Sequence, residues 1–286
     1  MNSQADAAGV QTIGQEQRLA LARASVADGE AERPRYGQVH AVPVDRLTAP
    51  RVGVLAEALY RCFEIIVSLI GLAIGVPIML VEALAIRLDS PGPALFRQPR
   101  VARSDMILGR ELAGRSDLLP PEGGFDPDRL YYVMRLFPFV KFRTMYHDAK
   151  IRFPELYAYK YDPADFRSRY FKNEDDPRVT RLGRKLRRLT LDELPNLWCV
   201  LRGDMRLVGP RPELPEIPQY YTPDEMYKFA CKPGITGLAQ INGRGLLSWG
   251  ETLAWDLEYV RTRTIALDLK IIALTLWYVV VRRGAF

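Results

Sequence analysis

Cysteine and histidine are scarce in this chain. Its three cysteines, Cys62, Cys199 and Cys231, stand far apart with no C-x-x-C pair. That argues against a disulfide framework or a zinc cluster and fits a reducing, cytosol-facing setting. Two histidines, His40 and His147, leave little for a histidine metal site, and a Ser-His-Asp triad would have to rest on one of them. No phosphate-binding G-x-x-x-x-G-K-[ST] loop, no G-x-G-x-x-G and no nucleic-acid module occurs. The first residues carry Asp6 and Glu16 and no apolar run, so they do not read as a signal peptide.

Positive charge is in excess, 40 Lys and Arg against 34 Asp and Glu. A net charge of +6 favours an anionic partner: nucleic acid, an anionic membrane lipid face or a phosphorylated substrate. Residues 1–54, rich in Ala, Gln, Glu and Arg and punctuated by Pro34, Pro43 and Pro50, read as a mobile tail without chemistry.

From Ile65 to Val81 the chain runs without a charge. As a helix this is about 25 Å, a little short of a roughly 30 Å hydrocarbon core. Pro77 lies inside it, so a kink or break is expected near Val76-Pro77. Arg51 and Arg61 precede the run, and Arg87, Arg97 and Arg100 follow it. A straight span would send one basic flank outward, against the positive-inside tendency. A helix that bends at Pro77 and returns keeps every arginine on one face, with Glu64 and Glu82 near the headgroups. A re-entrant helix hairpin over residues 55–97 is the preferred reading; a simple span and a buried core helix are the alternatives.

Residues 98–286 read as one cytosolic or interfacial domain, α+β and mostly helical. Strands are expected at Ala94–Gln98, Tyr131–Met134 and Phe139–Met145, and helix at His147–Tyr159 and from Arg181 onward. Residues 101–130 are polar and turn-rich, an inserted surface excursion and a candidate homodimer contact. Asp126-Pro127-Asp128 within them is formally a D-x-D, weak evidence for a metal. Leu191–Leu201 continues as apolar helix, ended by Gly203. Gly209-Pro210-Arg211-Pro212 is a stiff loop presenting Arg211. Lys232 to Gly237 reads as a tight turn with glycine at positive φ, and Asn242-Gly243-Arg244 as a second turn. Asp256 and Tyr259 share a helical face, and Ile265–Val281 suits a membrane interface.

Leu191-Asp192-Glu193-Leu194-Pro195-Asn196 follows the most basic stretch, Arg178, Arg181, Arg184, Lys185, Arg187 and Arg188. Two adjacent carboxylates among arginines suit an anionic substrate that needs charge neutralisation and a nucleophile or metal ligand. The hexapeptide also fits a capping role. Thr190-x-x-Glu193 matches a capping box, and Asp192 could cap a helix with Pro195 in its first turn.

The order of motifs adds to this. Lys141-Phe142-Arg143-Thr144-Met145, Asp176-Pro177-Arg178-Val179-Thr180, the Asp192-Glu193 hexapeptide, Gly203-Asp204-Met205, Val208-Gly209-Pro210-Arg211-Pro212, Lys232-Pro233-Gly234-Ile235-Thr236-Gly237 and Asn242-Gly243-Arg244 occur in sequence. From about Leu55 onward the chain resembles the bacterial sugar transferases, the monotopic polyprenyl-phosphate phosphoglycosyl transferases that begin surface-glycan assembly. The resemblance implies a monotopic protein of the inner membrane's cytosolic face, with a proline-broken re-entrant helix and interfacial amphipathic helices around a small catalytic domain. Family members often have Ser-Pro at the bend where this chain has Val76-Pro77. It implies a UDP-sugar donor, an undecaprenyl phosphate acceptor, Mg²⁺ and a covalent aspartyl intermediate. By position, Asp192 would be the nucleophile and Glu193 the Mg²⁺ ligand. Arg187 and Arg211 would be phosphate ligands, and Lys141, Arg143, Asn242, Arg244, Asp256 and Asp268 would lie near the site. Two rivals stand beside this: a membrane-associated glycosyltransferase that releases UDP, and a non-enzymatic basic protein that holds anionic lipid. No residue discriminates among glucose, galactose and N-acetylated sugars.

Overall fold

The computed structural model describes residues 36–41, 52–112, 126–128, 130–170, 175–243 and 246–281. Its main helices are α1 (Val54–Asp89), α2 (Arg181–Leu189), α3 (Asn196–Arg202), α4 (Leu238–Gly243), α5 (Trp249–Thr262) and α6 (Ile265–Val280).

Helix α1 is 36 residues long, long and apolar enough to cross a membrane. Its polarity is inside out. The buried residues Tyr60, Glu64, Ser68, Gly75, Glu82 and Ile86 recur at steps of four and seven, a single helical face, and most are polar or small. Leu59, Ile66, Ile70, Ile74, Leu80 and Leu84 are each more than half exposed. A helix in water buries such residues; one that presents them outward suits an apolar surrounding.

The polar stripe docks along its whole length. Near its start Arg61 donates to the carbonyls of Val200 (2.8 Å) and Leu201 (3.0 Å), and Glu64 accepts the Leu207 N–H at 3.0 Å. Midway, Gly71 lies against Leu197 so closely that a Cβ would sit 2.8 Å from Cδ1. Near its end Met79, Ala83 and Ile86 pack with Ala94, Phe142, Leu182 and Leu186. Of the kink or break expected at Val76-Pro77, the break is absent: helix runs through Pro77. Proline removes one backbone donor, and docking contacts on both sides of it hold the flanking turns in helical geometry.

Strand β1 is Tyr36–Ala41, β2 is Leu95–Val101, β3 is Asp105–Leu108 and β4 is Leu130–Phe142. All pair antiparallel, in the order β1-β4-β2 with β3 also on β4. The two strands expected at 131–134 and 139–145 are therefore one strand of 13 residues. Pro138 does not break it, because it stands opposite Pro99. The Arg143 N–H bonds to the Ala94 carbonyl (2.8 Å), which fixes the alternation and makes Pro99–Pro138 a pair that exchanges no hydrogen bonds.

Tyr36–Ala41 falls in the stretch expected to be a mobile tail, yet it is a strand. Backbone pairing with β4 decides this, and tail composition does not report it. The expected excursion is likewise partly ordered on β4. Asp128 pairs with Arg110, and the Asp126 carboxylate accepts the Asp128 N–H at 2.9 Å, so the D-x-D is a turn. Residues 113–125, which include much of the candidate dimer contact, lie outside the described residues. The helix expected over 147–159 is a short one at Ala149–Arg152 and a 3₁₀ turn at Pro154–Tyr157, since a residue before proline avoids helix and Phe153 has φ −134°.

Strands β5 (Arg206–Val208) and β6 (Gly234–Thr236) pair in parallel. The tight turn expected at Lys232–Gly237 is thus strand in part. Gly234 is needed for close approach: a Cβ there would lie 2.0 Å from the Gly209 nitrogen. Above this pair, Phe137, Val140, Cys199, Val208, Tyr259 and Ile271 form the core shared by β4, α3, α5 and α6.

Helix α2 is seated by one residue. A Cβ at Gly183 would fall 2.0 Å from the Thr144 carbonyl oxygen. Alanine would gain about 1 kcal/mol in helix propensity. The clash is with backbone, however, so the seat must open, and overpacking of this kind costs about 1–3 kcal/mol or more, which offsets or exceeds that gain. Gly183→Ala is expected to lower the denaturation midpoint in detergent; a higher midpoint would refute the seating.

Candidate active site

Helix α2 stops at Thr190, which has φ 58° and ψ 21°. A β-branched residue in the left-handed region is strained and persists only where its surroundings demand it. One 3₁₀ turn, Leu191–Glu193, follows, and α3 begins after Pro195. The expected helix from Leu191 to Leu201 is therefore interrupted, and the carboxylate pair sits in the interruption. Neither capping role is realised. Thr190 makes no side-chain cap bond, and the residue capping α3 is Pro195. Asp192 is 6% exposed. Among the described residues it makes no hydrogen bond or ion pair.

Lys141 and Arg187 act on it from two elements, and Arg100 stands beside Lys141 on a third. The β2/β4 register sets Phe96 opposite Lys141 and Arg100 opposite Phe137, which puts Lys141 and Arg100 on one face of the sheet. Lys141 lies over the Phe96 ring and Arg100 over the Phe139 ring, at 5.9 and 5.5 Å. Burial pushes Lys141 down to about 8, opposed by the charge of Asp192 and reinforced by Arg187 and Arg100. Burial, then the charge of Arg211, pushes Arg100 down to about 10. Arg187 reaches in from α2, its Nε donating to Thr144 Oγ1 at 2.9 Å. Burial lowers its pKa, and the charge of Asp192 opposes this most. Arg211 is exposed on its proline-flanked loop beyond Arg100. The carboxylate pair thus lies beside Lys141, and Asp192 beside Arg187 as well, with Arg100 next to Lys141 and Arg211 next to Arg100.

Among the described residues, no group of three His, Cys, Asp or Glu could hold a metal ion unaided. Mg²⁺ does not require one, since it takes one or two carboxylates and completes its shell with water and phosphate oxygens. The donor set fits: Glu193 adjoins Asp192, and both oxygens of Glu82 are buried without a partner where the Asp192 charge acts on them.

Other residues expected at the site lie elsewhere. Arg143 is 4% exposed and spends its guanidinium on the turn after α1, bonding the carbonyls of Pro93 (2.7 Å) and Ser90 (2.8 Å) and Ser90 Oγ (2.9 Å). Asp256 is fully buried in an ion triad, with Lys228 3.1 Å from it and 2.9 Å from Glu213, against the Arg211 backbone. It supports the loop that carries Arg211. Asp268 is fully buried, accepts the Tyr259 hydroxyl at 2.6 Å and pairs with Arg263, tying α5 to α6. Asn242 is exposed, its amide donating to the Leu238 carbonyl at 2.8 Å. Arg244 lies outside the described residues.

Four residues at or beside the site carry no motif that marks them. Arg100 was seen only as a flanking charge; the strand register, which a sequence does not print, brings it to Lys141. Glu82, expected near the headgroups, lies on the buried stripe with Glu64 and Ile86, in keeping with its spacing from them. Tyr157 and Tyr159 were hidden in an expected helix, and the proline after Phe153 was the available signal.

The chain matches the family model described as bacterial sugar transferase over residues 55–109 and 124–282. It is 37% identical over 237 residues to an undecaprenyl-phosphate glucose phosphotransferase of Komagataeibacter xylinus, covering 79% of this chain and 36% of that protein. It is 34% identical over 231 residues to an undecaprenyl-phosphate galactose phosphotransferase of Salmonella typhimurium, covering 80% and 42%. With a UDP-glucose:undecaprenyl-phosphate glucose-1-phosphate transferase of Caulobacter vibrioides it shares 35% over 236 residues, covering 79% and 70%. The chain therefore spans less than half the length of the first two of these relatives. With its carboxylate pair, its ring of cations and its apolar helix all inside the matched region, the chain belongs to the bacterial sugar transferase family.

Proposed function

We propose that this protein is a phosphoglycosyl transferase that moves a sugar-1-phosphate from a UDP-sugar to undecaprenyl phosphate through a covalent bond to Asp192, releasing UMP. The observation that carries the reading is a buried carboxylate, unpartnered among the described residues, beside the charges of Lys141 and Arg187, with Arg100 next to Lys141. A carboxylate in a purely structural role would be paired.

Lys141, Arg100 and Arg187 receive the diphosphate and offset its repulsion from the carboxylate. An oxygen of Asp192 bonds to the sugar-bearing phosphorus as the bridging P–O bond breaks, and UMP departs with that electron pair. A phosphate oxygen of the acceptor then bonds to the same phosphorus, and the carboxylate is returned. When bound, Mg²⁺ on Glu193 supplies further charge neutralisation to the diphosphate. Helix α1 serves as a monotopic anchor on the cytosolic face of the inner membrane, bending near Pro77 without losing helix. In support, its two ends pack on one body of protein, which a straight crossing would leave on opposite sides.

A panel of UDP-sugars with nucleotide release as readout tests the chemistry. UMP is the expected product; UDP would mean a glycosyltransferase. Donor alone is expected to leave the protein heavier by one sugar-phosphate unit in intact-mass spectra. Asp192→Asn should abolish that adduct and lower turnover by at least about 10³-fold, as when a nucleophile is removed. Persistent turnover in this variant would overturn the reading.

Lys141 gives the pH dependence. Only its charged form attracts phosphate, and its pKa lies near 8, below the ordinary 10.5. The kcat/KM for donor is therefore expected to fall above pH 8 as the ammonium is lost. Lys141→Arg should move that limb up beyond pH 9. The same limb in the arginine variant would assign the titration elsewhere.

A further inference from the structure

Tyr157 and Tyr159 stand beside the cations of the site and have no part in the phosphoryl transfer described above. Their rings meet edge to face at 6.5 Å. The charges acting on Tyr157 are Arg178, Asp176 and Arg187, and those acting on Tyr159 are Glu216 first, then Arg100 and Arg178. Arg187 and Arg100 are also the guanidiniums that act on Lys141 beside Asp192. Arg187 stands next to both Asp192 and Tyr157, its Nε on Thr144 and the Tyr157 hydroxyl on the adjoining Met145; Arg100 stands next to Tyr159, with Lys141 between it and Asp192. Nucleophile, cations and aromatic rings follow one another in the order in which a nucleoside diphosphate carries its terminal phosphorus, its anionic oxygens and its base.

The two rings differ in what they have free. Arg178 covers one face of Tyr157 at 5.0 Å and is itself locked to Asp176 by bonds of 2.8 and 2.9 Å. The Tyr157 hydroxyl points at Met145 Sδ, 3.7 Å away. Tyr157 is braced. Tyr159 is partly buried, packed on one side against the cluster of Phe166, Ile217, Trp249 and Leu253, and its backbone holds φ at +48°, a conformation an aromatic residue rarely adopts. The Tyr220 hydroxyl clamps this strained residue from both sides, donating to the Tyr159 carbonyl and accepting the Tyr161 N–H, each at 2.9 Å. Behind the clamp, Tyr220 stacks on Phe166 at 4.5 Å. A fold that maintains such strain with a dedicated hydroxyl fixes the direction of one side chain.

We infer that Tyr159, braced by Tyr157, is the platform on which the pyrimidine base of the donor nucleotide stacks, so that this pair sets the preference for a nucleotide over a simple diphosphate. The inference rests on the proposed use of a UDP-sugar. Base–aromatic stacking is sequence-tolerant and strong enough to matter, typically worth 5- to 100-fold in affinity per base.

The test is equilibrium binding of UMP and of ribose 5-phosphate, which lacks the base, to the full chain in detergent. Tyr159→Ala should weaken UMP about 5- to 100-fold, as loss of a stacking ring does, and leave ribose 5-phosphate unchanged. Tyr159→Phe and Tyr159→Trp should bind UMP nearly as the wild type does. Discharge of a preformed sugar-phosphate adduct to undecaprenyl phosphate should proceed at the wild-type rate in all three. Equal UMP affinity in the alanine variant would overturn the platform. So would a phenylalanine variant as weak as alanine, or equal loss of both ligands. If the wild type itself fails to bind UMP, the proposed donor is wrong and the platform falls with it. Wild-type binding that survives Tyr159→Ala sinks the platform alone.

Discussion

Helix α1 must satisfy two solvents at once, and the rest of the molecule is built to let it. Its outward face is leucine and isoleucine, and its inward stripe carries Arg61, Glu64, Ser68 and Glu82. Polar groups withdrawn from water need partners inside the protein. The Val200 and Leu201 carbonyls and the Leu207 N–H supply them to Arg61 and Glu64. Those partners lie on α3 and β5, which also line the main core. Docking the apolar helix and closing the catalytic body are thus one event. Ser68 Oγ and both oxygens of Glu82 find none, and Glu82 lies where the helix meets Asp192.

The site follows from a local fault in an otherwise regular stretch. A basic helix followed directly by an apolar one would present Asp192 and Glu193 on a continuous cylinder. Thr190 in the left-handed region and Pro195 together cut that cylinder. The carboxylates are left in a single tight turn against β4, where Lys141 waits. The strain at Thr190 and the depressed pKa of Lys141 are two costs at one place, and both are consistent with a site that holds the Asp192 carboxylate near cations without an ion pair.

Several charged residues that look functional by position are structural here. Arg143, Asp256 and Asp268 are buried, and each holds a turn, a loop or a helix pair. Asp256 still bears on the site at one remove, because the triad with Lys228 and Glu213 lies beneath the loop that carries Arg211. A motif therefore does not separate residues that touch a substrate from residues that hold the ones that do.

The sequence by itself determined the class of the molecule: the apolar run with its basic flanks, the acidic pair among arginines, the terminal apolar helix and the series of motifs. Each depends on local composition or spacing, which one-dimensional reading captures. Residues 36–41, the single β4 strand, the parallel β5–β6 pair and the partnership of Arg100 with Lys141 needed the tertiary structure. In each case pairing or register between distant segments decides which face a side chain takes. Composition is silent on that choice. The unbroken run of helix through Pro77, the break at Thr190 and the strained Tyr159 belong to the same group. There a local preference is overruled by contacts made from elsewhere in the chain: the docked stripe of α1, the seat of α2 on Thr144 and the hydroxyl of Tyr220.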